Sequence, residues 1–289
     1  MSLNIEYLKK WIGRQEEKTD LVTEFPIAGL FALLNRPQPD FADNLIKIPL
    51  ASHWLYFLPR YSQFEIGADG HKIKGEFLPP VELPRRMWAG GRLEFKGRFK
   101  IGDEIRRVSS IKNVKHIKGE TGDLVFVVVG HSISNSKEVI VEEDHNIVYR
   151  APSDSNSVKK RKIPVPGVPQ WSKVIEPDPV LLFRYSALTF NSHRIHYDRD
   201  YVTKIEGYPG LLVHGPLLAT LLLDFFESEM PSCELLSFDY RIVSPLYDVA
   251  NFTLNGMITR TDMAKLWVAD DRGGLSLLAD VKFSSSKDI

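Results

Sequence analysis

Apolar and polar positions along the chain fall into two arrangements. DLVFVVVGHSI (residues 123–133) and EVIVEEDHNIVYR (138–150) are alternating or continuous β-branched runs, and NFTLNGMITR (251–260), KLWVADD (265–271) and LSLLADVKF (275–283) repeat that character late in the chain. Each predicts an antiparallel strand. Gly122-Asp123, Asn135-Ser136 and Asp271-Arg272-Gly273-Gly274 punctuate them at hairpin spacing. Two other segments, TEFPIAGLFALL (Thr23 to Leu34) and PLLATLLLDFF (Pro216 to Phe226), are apolar on nearly every helical face. A helix of that kind has to be wrapped, and a curved antiparallel sheet closing around it does so.

The arrangement is stated twice. LEFKGRFKIGD follows residue 92 and FDYRIVSPLYD follows Ser237, and in each an aromatic (Phe95, Tyr240) precedes an aspartate (Asp103, Asp248) by eight residues. Between the halves runs APSDSNSVKKRK, too polar to bury itself, which reads as a linker over residues 151–162. The expected fold is therefore α+β, a double hot-dog in which each half is an antiparallel sheet wrapped around a central helix. Residues 1–150 are expected to form one domain and 163–289 another.

Composition narrows the partners. Lysine plus arginine equals aspartate plus glutamate at 37 each, so no net field draws the chain to nucleic acid or an anionic membrane. The KKRK of the linker is read as solvated. Cys233 is the single cysteine and has no metal-ligand pattern near it, which implies a reducing compartment and no metal. The first twenty residues lack an apolar signal core and do not have the make-up of a transit peptide, so a cytoplasmic location is expected. Leu211 to Phe226, interrupted by His214, Gly215, Pro216 and Asp224, is too short and polar to span a bilayer.

Chemistry concentrates in YSALTFNSHRIHYDRDYV from Tyr185 and LVHGPLLATLL from Leu212. Together these resemble the MaoC-like, or R-specific enoyl-CoA hydratase, family. Ser186, Leu188, Thr189, His196 and Asp198 fall on its S-x-L-T-G-D-x-N-P-x-H-x-D segment, and Val213, His214, Gly215 and Leu217 on V-H-G-M-L. WIGRQE (11–16), HWLYFLP (53–59) and LPRRMWAGGRLEF (83–95) look like its two-hot-dog branch, which includes mesaconyl-C4-CoA and itaconyl-CoA hydratases and the yeast mitochondrial hydroxyacyl-thioester dehydratase. The resemblance implies a hydro-lyase adding water to, or removing it from, an enoyl-CoA thioester with a short branched or carboxylated acyl chain. Carried by motifs in the second half, it implies that the first domain is degenerate and the second catalytic. It implies no cofactor beyond the coenzyme A of the substrate.

This chain departs from the motif: Phe190 stands for the glycine, Asn191 for the aspartate, and His193-Arg194 for Asn-Pro. An amide has no basicity near neutral pH, so Asn191 can orient water but cannot take its proton. His196 is then the expected base. Gly215 and Pro216, opening an apolar helix, offer a backbone anion site for the developing enolate. His193 reads as shaping the turn, with a second base as the alternative, Asp198 as capping or orienting the segment after His196, and Asp224 as satisfying a polar neighbour. For the acyl carboxylate or coenzyme A phosphates the candidates are Arg85, Arg86, Arg184, Arg194 and Arg241, with Trp88 and His214 beside the pocket; Arg85 and Arg86 come first. Carrier-protein dehydration and non-catalytic acyl-thioester binding stay open as alternatives, as do a homo-oligomer and a monomeric pseudo-dimer.

Overall fold

The computed structural model describes residues 3–43, 46–73, 77–119, 122–151 and 163–285. Five strands precede residue 152: β1 (Gln15–Leu21), β2 (Arg85–Phe95), β3 (Glu104–Gly119), β4 (Gly122–Ser134) and β5 (Val139–Arg150). Five follow residue 162: β6 (Trp171–Ile175), β7 (Cys233–Ile242), β8 (Phe252–Arg260), β9 (Met263–Ala269) and β10 (Leu275–Ser285). The helices are α1 (Ile5–Lys9), α2 (Glu24–Leu33), α3 (Pro179–Leu188), α4 (Arg199–Lys204) and α5 (Gly215–Glu229). The linker expected at 151–162 lies, apart from Ala151, outside the described residues.

All ten strands form one antiparallel sheet in the order β1-β3-β4-β5-β2-β7-β10-β9-β8-β6. Read inward from either end, the succession is the same: β1, β3, β4, β5, β2 match β6, β8, β9, β10, β7. The eight-residue repeat lies on equivalent elements, since Phe95 and Tyr240 belong to β2 and β7 while Asp103 and Asp248 precede β3 and β8. The halves join where Gly90 to Glu94 pair with Arg241 to Ser237. Glycine is required at this seam: Gly90 has φ 142°, and a Cβ there would enter the Tyr240 carbonyl.

Helix α5 lies against β7, β8 and β9 and is buried from Leu217 to Glu227. The facing positions of β10, at the period of two a strand dictates, are Leu277, Ala279, Val281 and Phe283, all buried. Each such leucine or phenylalanine stabilises by roughly 1.5–3 kcal/mol relative to exposure. This is the second hot-dog, and the first is built from the matching strands.

One difference from expectation matters for function. The helix expected at 23–34 is present as α2, but it follows the first strand of its half as α3 does, has ten residues like α3, and packs against α3. It is therefore the counterpart of α3 and not of α5. Between α2 and β2 the described residues hold only two short 3-10 turns, 52–55 and 63–65. No described helix of the length of α5 stands in that stretch, and a cavity of about 1190 Å³ is lined by it together with β4 and β5. It is lined from both halves.

Ion pairs tie the halves across α5. Arg36, just past α2, bonds Asp224 (2.5 Å) and Glu227 (2.9 Å), and Arg98 bonds Glu227 (2.6 Å) and Glu234 (3.2 Å). Asp224 thus satisfies a neighbour from the other half. No described helix is long and apolar enough to cross a membrane.

Candidate active site

The segment after α3 is held in a tight, non-repeating path. Asp178 caps α3 by accepting from the Leu181 N–H (2.7 Å), and Pro179 opens the helix. The helix stops at Phe190, whose φ of 47° is left-handed, and the Asn191 N–H reaches back to the Ser186 carbonyl (2.8 Å). A phenylalanine therefore holds the backbone conformation that glycine adopts freely. Asn191 accepts the His193 N–H on Oδ1 (3.0 Å), leaving its Nδ2 amide as donor.

His196 sits in a short 3-10 turn (Arg194–His196) and is 7 % exposed. Its Nδ1 lies 2.7 Å from the Leu212 carbonyl. A carbonyl only accepts, so Nδ1 carries the proton and Nε2 keeps a free lone pair. Burial pushes the imidazole down to about 4, against the Leu212 bond and with a smaller push from His71 in the same direction. The ring is neutral at physiological pH, as a base must be. Beneath it His214 stacks at 3.7 Å and 16°, anchored by Nε2 to Ser186 Oγ (2.8 Å). His214 is buried and supports His196.

Gly215 opens α5 directly after His214, and Pro216 fills the next position. Among the described residues no acceptor bonds the Gly215 N–H. Gly215, Pro216, Asn191 and His196 line one cavity, so an imidazole with a free lone pair, an amide donor and a helix start share a space. Asp198 caps α4 through the Tyr201 N–H (3.0 Å) and accepts Arg194 (2.8 and 3.0 Å).

The first half contributes a loop that the sequence reading passed over. Ser192 Oγ donates to the Gly70 carbonyl (2.6 Å), the Arg194 N–H to the Asp69 carbonyl (2.9 Å), and Arg194 Nη1 to Ala68 (3.0 Å). His71 and His193 meet at 3.8 Å, and His193 meets His196 edge-on at 5.5 Å. Burial, then the field of His71, pushes His193 down to about 2. The hydrogen bond from His71 holds the Asp69 carboxyl well below the usual carboxylate range.

The arginines separate. Arg86 lines the cavity and bonds Tyr149, and Trp88 lines it with its Nε1 donating to the Gly90 carbonyl (2.8 Å). Arg85 instead pairs with Glu206 (3.5 Å) and lies over Tyr208, outside the cavity wall. Arg184 and Arg241 are exposed on the outer surface. Arg194 is taken up by Asp198, Ala68 and the Tyr201 ring and does not line the cavity. None of these four lines the cavity.

Facing the cavity from the first half are residues not anticipated as functional: Arg107, His131, Glu143 and His145. Glu143 accepts from Trp54 Nε1 (3.1 Å) and pairs with His53 (3.3 Å). Burial opposes its charge, but these donors and the surrounding imidazoles hold the carboxyl down to about 2. Burial pushes His131 down to about 3 and lowers His145. Burial likewise lowers Arg107, whose Nε has no partner among the described residues. The signal was in the sequence: Glu143 and His145 take inward positions of β5, in step with buried Val141 and Ile147.

Comparison with known proteins agrees with this picture. The family model described as hydroxyacyl-thioester dehydratase type 2 matches residues 51–248. The chain is 41% identical to the mesaconyl-C(4)-CoA hydratase of Chloroflexus aurantiacus over 84% of this chain and 86% of that one. It is 27% identical to the mitochondrial hydroxyacyl-thioester dehydratase type 2 of Schizosaccharomyces pombe, over 86% and 91% of the two chains. Among solved structures, a MaoC-like dehydratase from Phytophthora capsici superposes with a TM-score of 0.72 at 10% identity, covering 98% of this chain and 99% of that one.

Proposed function

Because the chain belongs to the hydroxyacyl-thioester dehydratase type 2 family, we propose that it hydrates enoyl-CoA thioesters or dehydrates the 3-hydroxyacyl products. The carrying observation is His196: its Nδ1 proton is committed to Leu212, so Nε2 keeps the free lone pair of a base, on a ring that lines the cavity. In hydration Nε2 takes a proton from water as the oxygen bonds the β-carbon. Charge then passes to the thioester oxygen, where the free Gly215 N–H and the positive end of α5 stabilise it. One such donor contributes about 3 kcal/mol to the barrier. The Nδ2 amide of Asn191 holds the water or the thioester in place. The reaction uses only protein groups and the coenzyme A of the substrate.

The acyl chain in this reading carries a carboxylate, as mesaconyl thioesters do. Arg86 and Arg107 stand on the first-half wall with neutral imidazoles beside them, and Glu143 is already satisfied by Trp54 and His53. A guanidinium binds such a carboxylate through paired N–H donors. Support for the class comes from the C. aurantiacus relative, named for mesaconyl-C(4)-CoA. The cytoplasm and an internally paired pseudo-dimer, with β2 on β7, belong to the same reading; the S. pombe relative is named as mitochondrial.

The test is turnover. Purified protein is mixed with mesaconyl-, itaconyl- and crotonyl-CoA and the enoyl absorbance followed, with a thiol reagent present to catch hydrolysis. Turnover on a carboxylated thioester, reduced about 10²–10⁴-fold in H196A, is expected. An unchanged rate in H196A, or thiol release without loss of the double bond by hydration, overturns the proposal. A carrier-protein substrate preferred over coenzyme A would move it to the dehydratase of fatty-acid synthesis.

A further inference from the structure

Water addition across a carbon–carbon double bond needs one proton removed at oxygen and one delivered at the α-carbon. In the second-half motif the aspartate position is Asn191, so the carboxylate that would share the work with His196 is absent there. The carboxylate missing from that motif has a counterpart in the loop from the first half. Asp69 Oδ2 bonds His71 Nδ1 (3.1 Å), and Asp69 Oδ1 accepts the His71 N–H (3.0 Å). One oxygen of the carboxylate thus holds the imidazole and the other holds the backbone of the same residue, committing Nδ1 as donor and leaving Nε2 for chemistry.

This loop is held against the catalytic segment. Gly70 has φ 88°, and a Cβ on it would occupy the space of the Ser192 carbonyl. The approach therefore needs glycine, and three hydrogen bonds to Ser192 and Arg194 keep it. His71 lines the same cavity as His196 and is linked to it through the His193 ring, at 3.8 and 5.5 Å. Its side chain is 28% exposed, so it can exchange protons with water.

We propose that Asp69 and His71 form the second acid–base pair of the site, with His71 as the acid in hydration and Asp69 as its positioning residue. The proposal rests on the hydratase reading above. In hydration the water O–H breaks and its proton goes to His196 Nε2 while the C–O bond forms at the β-carbon. The displaced electron pair becomes the enolate. A C–H bond forms at the α-carbon as the Nε2–H of protonated His71 breaks, leaving that ring neutral. One proton has then passed in net from His71 to His196, and exchange with cavity water resets both rings. In dehydration the two histidines trade roles. Asp69, accepting from Nδ1, holds the ring so that Nε2 is the atom that gives and takes the proton.

Variants H71A, H71Q, D69N and H196A of the full chain are assayed on the thioester that wild type turns over fastest, with kcat, KM and melting temperature for each. For H71A we expect kcat to fall about 10²–10³-fold, KM to stay within about threefold, and added imidazole to restore at least about tenfold. D69N falls about tenfold. Folded H71A and H71Q with kcat within about threefold of wild type overturn the pair, as does a loss that imidazole leaves untouched. H71Q decides the matter if H71A does not fold. The donor atoms of Asp69, His71 and His193 lie within 4.8 Å of one another, close enough to share an ion. Activity lost to a chelator and restored by zinc would therefore also overturn it. An inert wild type sinks the hydratase reading, whereas an active wild type, a dead H196A and an unaffected H71A sink the pair alone.

Discussion

Acidification should destabilise this protein well above the range in which carboxylates protonate, because His131, His193 and His196 are imidazoles that burial keeps neutral. His196 titrates near 6.5 in an unfolded chain and is pushed down to about 4 by burial in the folded one. Between those values the unfolded chain binds a proton that the folded chain refuses. The stability due to this group is fully present above about pH 6.5 and is lost as pH falls toward 4. At about 1.4 kcal/mol per pKa unit, His196 alone accounts for about 3 kcal/mol. His131, pushed down to about 3, and His193, to about 2, act in the same direction. The three together remove about 5 kcal/mol between pH 7 and pH 5, a large part of an ordinary domain's stability. Asp224 and Asp239, raised by burial, act in the opposite direction. Urea denaturation at half-unit pH steps gives the slope, about 1.2 kcal/mol per pH unit for each such residue near pH 5.5. H131N should remove one such share. A change below about 1 kcal/mol between pH 7 and 5 would refute the reasoning.

Three further outcomes follow from contacts described above. Arg36→Met strands the buried Asp224 and Glu227 carboxylates and should cost about 3 kcal/mol in urea denaturation; a loss under about 1 kcal/mol would mean that Arg98 satisfies the cluster by itself. Gly70→Ala should cut activity at least tenfold while Gly67→Ala, which has room for a methyl and no positive φ, stays near wild type; equal effects would mean the loop is not clasped to the catalytic segment. Arg86→Met should lower kcat/KM for carboxylated thioesters roughly 10–150-fold relative to crotonyl-CoA, the range for one charged hydrogen bond, and an unchanged ratio would remove Arg86 from the acyl pocket.

The fold was largely legible because its loudest signals are local. The strands at 123–133, 138–150, 251–260, 265–271 and 275–283 and both apolar helices are present to within a few residues. β3 escaped notice because Glu104 to Gly119 carries scattered lysines and arginines with a weak alternation, its partners being strands on both sides and not a helix core. The role of α2 was illegible for another reason: an all-round apolar segment announces that it is buried, but not against what. At the site, His196, Asn191 and Gly215, which belong to two motifs close in sequence, line one cavity. Asp69 and His71 lie more than a hundred residues from that motif, and only the tertiary clasp through Ser192 and Arg194 brings them in. The same is true of the arginines, of which only a structure tells Arg86 in the wall from Arg85 one residue away.

The seam between β2 and β7 bears on how the chain is made. β2 emerges from the ribosome some 140 residues before its partner, and until β7 arrives one side of it is a raw edge with unsatisfied amides and carbonyls. The MWAGGRLEF stretch along that edge has only one arginine and one glutamate to deter a stray strand. Nascent or truncated forms ending before residue 233 should therefore be the aggregating species, and chaperone demand should end when the second half is complete.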